Sequence, residues 1–452
     1  MAPDNSTSRP APLPPHHAPG VTPYDRLVWS DTQVEHWLVN DEHKRELVVW
    51  FGHDSWVELT ALAKQAQAAR ARAGGAARPL AWIVPGIMGT QLGRARPPGA
   101  EAPDVLWLDP IDVIQGRLPE LRVHDTDGIR TFGVLLHSHL RLKLRLVMAG
   151  FDVRFFEYDW RRALPDTGAA FAAALRADPR PGVIVAHSMG GLVARVALAR
   201  EPAPWLTRIV LLGTPNHGAY AAAQALRGTY AVVRRLAMLD ARRSAEELAA
   251  SVFATLPALH DLLPFGEFAG GLDLRDATHW PAAGPGPDRA LLERARRLPA
   301  ALAPADARFA CIAGIGERTV THARCSGDGF AWRYGLDGDG TVALRSAVLP
   351  GAPTWIARCG HSPLTRDPDV ARAVIDLVGG SDPGGLRPLV DPAGADLPDP
   401  EPLEFSDEEL RATLTGKLDW AALEADERRR FLEALNEPVL PRDPRRSSTA
   451  PA

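Results

Sequence analysis

The segment VIVAHSMGGLVAR (183–195) carries the pattern most typical of covalent catalysis in this chain. An apolar stretch runs into Ser188, and an amphipathic helical pattern starts directly after it. The small residues Ala186 and Gly190 allow the tight strand-to-helix turn that lifts a nucleophilic hydroxyl above the edge of a sheet, although glycine is usual at the first position. The pattern predicts Ser188 as a nucleophile, with the Met189 amide donating to an oxyanion at the helix N-terminus. An ordinary turn with a buried serine is the structural alternative.

A nucleophilic serine needs a base and a carboxylate that orients the base. The Gly-rich stretch YGLDGDGTVALRSA (334–347) supplies Asp339, and His361 follows the apolar run PTWIARCG. Both are expected at the C-terminal ends of strands, where α/β sites form. We therefore predict Asp339 as the orienting acid and His361 as the base, with Asp337 as the alternative acid. A solvated turn aspartate and a loop histidine without a role are the structural alternatives. His187 is expected to pack beside the serine rather than act as its base.

A second oxyanion donor is predicted in AWIVPGIMGTQL (81–92). The apolar run ends in Pro-Gly, and the Ile87 amide that follows would face the same pocket as the Met189 amide. Taken alone, Pro-Gly at a strand end indicates only a turn. The prediction therefore depends on Ile87 and Ser188 meeting at one edge of a sheet.

Short apolar runs between 80 and 379 predict the strands that carry these residues. Several are apolar throughout, as expected for strands covered on both faces, and helical patterns separate them. The stretch 140–146 alternates like a strand, but its apolar run continues to Met148 before Gly150, which favours a helix. This alternation predicts an α/β fold with a central, mostly parallel sheet. The runs are AWIVPG (81–86), FDVRFFEY (151–158), GVIVAHS (182–188), RIVLLGTP (208–215), RFACIAGIG (308–316) and PTWIARCG (353–360).

These motifs resemble one known family. VPGIMGTQL, EYDWRR, AHSMGGLVAR, LLGTPNHG, DGDGTV and CGH occur in the order seen in lecithin:cholesterol acyltransferase-like α/β-hydrolases. That family includes acyltransferases, lysosomal-type phospholipases and bacterial esterases or lipases. The resemblance covers roughly 80–379, and the Ala- and Arg-rich composition is more similar to a bacterial member. A pair of cysteines matching the secreted animal enzymes is not found, so their cellular role does not transfer.

The resemblance implies the α/β-hydrolase fold and a role for several residues. Asp159, Trp160 and Arg161 match the Asp-Trp-Arg element of the family, which would brace the site or line an acyl pocket. The nucleophile, orienting acid, base and two oxyanion amides would be Ser188, Asp339, His361, Ile87 and Met189.

A long insertion at about 217–307 separates LGTPNHG from RFACIAG. It is helical in parts and carries apolar pieces such as LPALHDLLPF. The resemblance implies a lid over the serine, and a plain helical subdomain without a gating role is the alternative. An apolar underside suits an acyl chain, and we expect this lid to touch a membrane surface transiently.

Composition excludes several classes of protein. Lys plus Arg number 51 and Asp plus Glu 55, giving a formal charge of −4, so no nucleic-acid partner is expected. No apolar stretch approaches the ~18 residues of a membrane span. The first 20 residues lack the apolar core of a secretory signal, so a cytoplasmic location is expected. Three cysteines are too few for a disulfide scaffold.

Metals and cofactors are not expected. His16, His17 and His43 lack companion ligands at metal spacing, so no metal is predicted. Cys359, two residues before His361, is expected to be a buried strand thiol rather than a second nucleophile. The reaction predicted below requires no cofactor.

The flanking segments divide the chain. Residues 1–20 indicate a disordered arm, 21–79 a small folded extension ending in the linker GGAARP, and 80–379 the α/β-hydrolase domain. Residues 380–452 indicate a Pro-rich linker over 380–404, a helical segment and a disordered tail. Within that segment Ser406 and Glu409 form a capping box, and DERRRFLEAL predicts a second helix.

The sequence therefore predicts a serine hydrolase or O-acyltransferase acting on lipid-type carboxylic esters through an acyl-enzyme. One alternative is a hydrolase of small polar esters or amides with the same triad. Another is a non-catalytic scaffold that binds a partner through the terminal segments, although the intact triad positions count against it. Protein partners cannot be named from the sequence.

Overall fold

A computed structural model of the chain describes residues 20–123, 128–390 and 403–441. The strands in these ranges are β1 Leu80–Val84, β2 Thr90–Arg94, β3 Asp104–Trp107, β4 Arg130–Val134, β5 Asp152–Phe155, β6 Gly182–His187, β7 Leu206–Leu212, β8 Phe309–Gly314, β9 Thr319–Ser326, β10 Gly329–Gly335, β11 Thr354–Ala357, β12 Arg387–Pro388 and β13 Leu403–Ser406. The helices are α1 Asp31–Asn40, α2 Lys44–Phe51, α3 His53–Arg72, α4 Pro110–Ile114, α5 Leu136–Met148, α6 Leu164–Ala177, α7 Met189–Arg200, α8 Tyr220–Leu226, α9 Ala231–Leu239, α10 Ala245–Ser251, α11 Pro257–Asp261, α12 Arg289–Ala295, α13 Leu344–Ala347, α14 Pro368–Val378, α15 Asp407–Arg411 and α16 Ala425–Glu433.

The central sheet has the order β12-β11-β8-β7-β6-β1-β5, with seven strands in the described residues. All of its pairings are parallel except that of β12 with β11. The register pairs Val84 with Ala186 and Ala186 with Leu211, so β1, β6 and β7 end at the same edge. The predicted α/β fold with a mostly parallel central sheet is confirmed.

Both faces of this sheet are covered by helices, which explains why its strands are apolar throughout. Trp82 and Ile184 lie in one hydrophobic cluster with α6 and α7. Ile83 and Val185, the next residues along the same strands, lie in a second cluster with α3, α5 and α14. The segment 140–146 lies within α5, as its apolar pattern predicts.

Two smaller sheets were not foreseen from the sequence. One has the order β3-β2-β4 and the other β13-β10-β9, and both are antiparallel. Their strands mix polar and apolar residues, and β13 lies far from β10 in the chain. Short-range patterns carry little information about such pairings.

The terminal segments pack on the central domain. Helices α1 to α3 join the same hydrophobic cluster as α5. Residues 403 and 404, which the sequence suggested as the end of a linker, belong to β13 and pair with β10. The capping box of Ser406 and Glu409 is present at α15, and the second predicted helix is α16. The arm over 1–19, the stretch 391–402 and the tail over 442–452 lie outside the described residues.

Within the described ranges, no helix combines the length and the apolar character needed to cross a membrane.

Candidate active site

Ser188 occupies the turn between β6 and α7. Its backbone has φ 55° and ψ −129°, a conformation that non-glycine residues rarely adopt and that costs roughly 1–3 kcal/mol. The Ser188 amide donates to the Leu212 carbonyl at 2.8 Å, and the Gly191 amide returns to the Ser188 carbonyl at 3.0 Å. These bonds hold the serine in the strained conformation that directs its side chain away from the sheet.

Small residues make this turn possible. A Cβ atom on Gly190 would lie 2.4 Å from the Val84 carbonyl oxygen, so β1 packs directly on the start of α7. A Cβ atom on Gly86 would lie 2.8 Å from the Cβ atom of Ser188. Ala186 is fully buried, so its methyl group fits in the place where glycine is usual.

The predicted acid, base and nucleophile form a hydrogen-bonded chain. His361 Nε2 lies 2.8 Å from Ser188 Oγ, and His361 Nδ1 lies 2.7 Å from Asp339 Oδ2. The backbone amide of His361 also donates to the Asp339 carbonyl at 2.8 Å. All three residues are buried. The imidazole is therefore held at both nitrogens, with one directed at the serine hydroxyl.

The second oxygen of Asp339 is also engaged. Oδ1 accepts hydrogen bonds from the amides of Thr341 at 3.0 Å and Val342 at 2.7 Å. The alternative acid, Asp337, is partly exposed, and neither of its carboxylate oxygens contacts His361. The geometry therefore favours Asp339 over Asp337 as the partner of the base.

Asp339 follows a strand, as predicted, but that strand, β10, belongs to the small antiparallel sheet and not to the central sheet. Asp339 reaches the site because its turn lies against the C-terminal end of β8, where a Cβ atom on Gly314 would lie 2.7 Å from the Asp339 Cβ. An isolated bridge to Glu317 holds the turn there.

A glycine at the end of β7 makes room for the acid–base pair. Gly213 has φ +55°, and a Cβ atom there would lie 3.1 Å from Asp339 Oδ2 and 3.3 Å from His361 Nδ1. Any side chain would press on the hydrogen bond between these two groups. Gly213 lies within the LLGTP motif, but sequence reasoning gave it no role because the close approach is long-range.

The two predicted oxyanion donors lie on either side of Ser188. Ile87 follows Gly86, which touches the serine, and Met189 is the first residue of α7. In the described part of the chain, neither the Ile87 amide nor the Met189 amide donates to another protein group. Two unpaired amides beside a strained serine are the arrangement that an oxyanion hole requires.

The Asp-Trp-Arg element supports this region. Arg161 is fully buried and donates to Asp159 through Nε at 2.8 Å and Nη2 at 2.6 Å. It also donates to the Leu121 carbonyl at 3.0 Å. Trp160 donates to the Thr90 carbonyl at 3.0 Å and lines the cavity at Ser188. Trp160 thus contacts the cavity, whereas the ion pair fixes the loop that carries it.

His187 contacts the backbone of the base. Its Nε2 lies 3.0 Å from the His361 carbonyl oxygen, and the two rings are 4.9 Å apart. Burial lowers the pKa of His187 well below its ordinary value and that of the neighbouring His139 to about 4. Both rings are therefore neutral at pH 7, and His187 Nε2 donates to the backbone carbonyl of His361 itself.

A small apolar cavity extends from Ser188 beneath the insertion. Its volume is about 90 Å³, and its walls come from α8, α9 and the region of α11. Side chains from the insertion that line it include Ala222, Ala225, Val233, Leu256 and Leu259. The insertion therefore covers the serine with an apolar surface, and this cavity is called the acyl cavity below.

The remaining candidates give no second reactive group. Burial raises the pKa of the Cys359 thiol to about 12, so little thiolate forms at pH 7. Among the described residues, no cluster of His, Cys, Asp and Glu side chains is arranged to hold a metal ion. His43 lies in that part of the chain, whereas His16 and His17 lie outside it.

Sequence reasoning missed Ser362 and Asn436, which line the acyl cavity beside His361. Asn436 Nδ2 donates to Ser362 Oγ at 3.4 Å. Asn436 belongs to the C-terminal segment, which the sequence pattern separated from the catalytic domain. No local signal links position 436 to a histidine loop elsewhere in the chain.

The chain has structural neighbours among known proteins. No family model matches the chain, and no curated protein sequence matches it. The lipase BlEst2 of Bacillus licheniformis, in its mature form, is a structural neighbour at 16% identity, covering 64% of this chain and 87% of that chain, with a TM-score of 0.32. A chain of the Tle4–Tli4 complex is 13% identical over 67% of this chain and 99% of that chain, with a TM-score of 0.41. Phospholipase PlaB from Legionella pneumophila is 10% identical over 68% of this chain and 60% of that chain, with a TM-score of 0.33.

Proposed function

We propose that this chain is a serine-dependent hydrolase or O-acyltransferase that acts on lipid-type carboxylic esters through an acyl-enzyme. The observation that carries the proposal is the continuous hydrogen-bonded chain from Ser188 through His361 to Asp339. It is supported by the strained backbone of Ser188 and the two unpaired amides beside it. Membership of the lecithin:cholesterol acyltransferase-like family remains a prediction from the motifs.

The geometry supports the following first half-reaction. Ser188 Oγ attacks the ester carbonyl carbon while His361 Nε2 takes its proton, and Asp339 stabilises the imidazolium and fixes its tautomer. The carbonyl oxygen becomes an oxyanion that accepts hydrogen bonds from the Ile87 and Met189 amides. The C–O bond to the alcohol then breaks as His361 returns the proton to the leaving oxygen.

The second half-reaction regenerates the serine. Water, or an acceptor alcohol, loses a proton to His361 and attacks the acyl-enzyme carbonyl. The oxyanion forms at the same two amides and collapses, returning the proton to Ser188 Oγ. Release of free acid identifies hydrolysis, and a new ester identifies acyl transfer.

The lipid character of the substrate is inferred from the acyl cavity. Apolar side chains dominate its walls, and burying each methylene contributes about 0.8 kcal/mol. An acyl chain that enters the cavity therefore lowers the barrier more than acetate does. We propose that the insertion serves as a lid and contacts a lipid surface when it opens.

The small volume of the acyl cavity, about 90 Å³, favours one alternative. If the insertion stays in the position described, only a short acyl group fits, and the chain would be a small-ester hydrolase with the same triad. A series of p-nitrophenyl esters distinguishes the two functions. A maximum at acetate, without activity on phospholipid vesicles, would favour the small-ester hydrolase.

Labelling by a fluorophosphonate tests the nucleophile directly. The probe should modify Ser188, and Ser188→Ala should abolish both labelling and esterase activity, by ~10⁴–10⁶ in kcat as in other serine hydrolases. The exposed Ser381→Ala is the matched control and should label normally. Modification of another serine would contradict the assignment, and a folded chain without labelling or turnover would favour the non-catalytic scaffold.

A further inference from the structure

A second and much larger cavity opens beside Ser188, on the side away from the insertion. Its volume is about 1160 Å³, above the 300–1,000 Å³ typical of pockets for small organic ligands. Its walls include residues of both terminal segments. These segments lie outside the part of the chain that resembles known hydrolases. We call it the aromatic chamber because its lining includes Tyr24, Trp29, Trp37, Trp50, Trp107 and Trp420.

The tryptophans are concentrated at this place. The chain has 12 tryptophans, and five of them line the chamber in the described structure. Trp29, Trp37 and Trp50 come from the N-terminal extension, and Trp420 comes from the C-terminal segment. Flat aromatic ligands stack on such rings and gain binding energy beyond that of the area that they bury. The composition of the walls therefore favours a flat ring system over an aliphatic chain.

The chamber and the acyl cavity share a wall beside Ser188, which itself lines only the acyl cavity. Both are lined by the same residues of the oxyanion loop and the His361 loop, namely Ile87, Met88, His187, Ser362 and Asn436. Trp107 in the chamber contacts Trp160 in the acyl cavity, with ring centroids 5.2 Å apart. An ester bound at the serine thus has one cavity for each of its two substituents.

The leaving alcohol belongs on the chamber side. His361 Nε2 must protonate the leaving oxygen, and the next residue, Ser362, forms part of the wall that the two cavities share. With the acyl group beneath the insertion, the alcohol leaves past Ser362 into the chamber. The released alcohol then reaches solvent through the chamber and does not have to pass the acyl group that is still bound to Ser188.

Three charged side chains in the chamber wall are held by other protein groups. Glu433 accepts hydrogen bonds from His137 at 2.8 Å and Arg429 at 2.9 Å. Arg428 donates to the carbonyls of Trp420 and Ala421, both at 3.0 Å. These three side chains are therefore satisfied without a charged ligand.

We infer that the aromatic chamber is the alcohol subsite and that it takes an uncharged alcohol carrying a flat aromatic ring system. This inference rests on the proposed function, because it needs an ester bound at Ser188. It assigns a binding role to the terminal segments, with Trp50 and Trp420 as residues that determine the choice of alcohol.

Three butyrate esters with the same acyl group test the inference, namely those of ethanol, 1-undecanol and 2-naphthylmethanol. The last two alcohols have equal carbon numbers, so they separate aromatic character from apolar size. Wild-type kcat/KM should be about three- to tenfold higher for the naphthylmethyl ester than for the undecyl ester. Equal values, or a preference for the undecyl ester, would overturn the inference.

Trp50→Leu should reduce this ratio towards one, because it keeps an apolar side chain but removes the ring. Trp56→Leu is the matched control, since Trp56 is also partly buried against the same hydrophobic cluster but does not line the chamber. It should leave the ratio unchanged. An equal fall for all three esters in Trp50→Leu would indicate a structural role and overturn the assignment.

Binding of 2-naphthylmethanol gives a readout that does not need turnover. Isothermal titration calorimetry should detect this alcohol binding to the wild type, and binding should weaken in Trp50→Leu but not in Trp56→Leu. Failure of Ser188 labelling with intact binding of the alcohol would overturn the proposed function alone. Labelling with no binding of the alcohol and no preference among the esters would overturn the chamber assignment alone.

Discussion

At the scale of single residues, the choice between two aspartates is the sharpest test of the site. Asp339→Asn should lower kcat by roughly 10⁴, because the amide cannot hold the imidazole in the tautomer that accepts the Ser188 proton. Asp337→Asn, two positions away and without a contact to His361, is the matched control and should have a mild effect. A crippled Asp337→Asn enzyme beside a nearly normal Asp339→Asn enzyme would contradict the assignment.

A buried histidine in the insertion links stability to pH. His260 Nδ1 donates to the Leu256 carbonyl at 2.9 Å, and Nε2 accepts from the Asp288 amide at 3.1 Å, so the neutral ring is fully satisfied. Burial lowers the pKa of His260 to about 4. Below pH ~6.5 the unfolded chain binds a proton that the folded chain does not, so acidification lowers the free energy of unfolding.

The expected loss from His260 is about 2 kcal/mol between pH 7 and pH 5, at 1.36 kcal/mol per pH unit below ~6.5. His260→Gln should reduce the pH dependence by about this amount, measured by urea unfolding at both pH values. His36→Gln, at an exposed position, is the control. An unchanged pH dependence in His260→Gln would show that the folded protein protonates this ring as readily as the unfolded chain.

At the residue level, the sequence predicts geometry that depends on neighbouring positions only. The turn around Ser188 can be foreseen because strand, small residues and helix follow one another within a few positions. The packing of Gly213 against Asp339 and His361 cannot be predicted in this way, because it depends on how the end of β7 packs against two loops that are distant in the chain. The same is true of Asn436, which reaches the His361 loop from the C-terminal segment.

At the scale of elements, we expect α8 to limit the length of the acyl group that the proposed function requires. Ala222 is buried in this helix and lines the acyl cavity. Ala222→Leu fills space that two or three methylenes of an acyl chain would otherwise occupy, at about 0.8 kcal/mol each. The optimum in a series of p-nitrophenyl esters should therefore move to shorter chains, with kcat/KM for the longest good substrate falling on the order of tenfold.

Ala173→Leu provides the control for this change, since Ala173 is exposed on α6 and does not line the cavity. Its chain-length profile should match the wild type. Thermal unfolding of both variants checks that the larger side chain has not disturbed the core. The same profile in Ala222→Leu and wild type would show that acyl chains do not enter beneath the insertion.

Strands of the central sheet were predictable because each is a short apolar run between helical patterns. All six predicted runs contain or overlap a strand, β1, β5, β6, β7, β8 and β11. The pairing of the antiparallel strands was not predicted, because each strand is partly polar and the sequence does not reveal which segment it pairs with. Asp339 follows one of these strands, β10. The motif therefore pointed to Asp339 as the acid, but it did not show how this residue reaches His361.

At the scale of the whole molecule, the C-terminal segment is joined to the domain more closely than its sequence suggests. Because 380–404 is a Pro-rich linker by composition, the sequence alone predicts that removal of 405–452 leaves the chemistry nearly normal. The segment instead adds β13 to the sheet with β10, and Lys417 donates to the Ala237 and Asp240 carbonyls around the end of α9. Helix α9 lines the acyl cavity, so removal of the segment should now impair turnover on long-chain esters.

A buried ion pair also attaches the C-terminal segment to the domain. Asp407 accepts from Arg227 Nε and from the Trp332 indole, both at 2.8 Å, and both charged side chains are almost completely buried. Asp407→Ala leaves the Arg227 charge buried without its partner, which should lower the free energy of unfolding by about 3–5 kcal/mol. Glu404→Ala is the control, because Glu404 lies on the same segment as Asp407 but pairs with Arg324 of β9 in an exposed position, where such pairs contribute little. Urea unfolding followed by tryptophan fluorescence measures both variants, and equal stabilities would show that the segment is held by its strand pairing rather than by the buried charge.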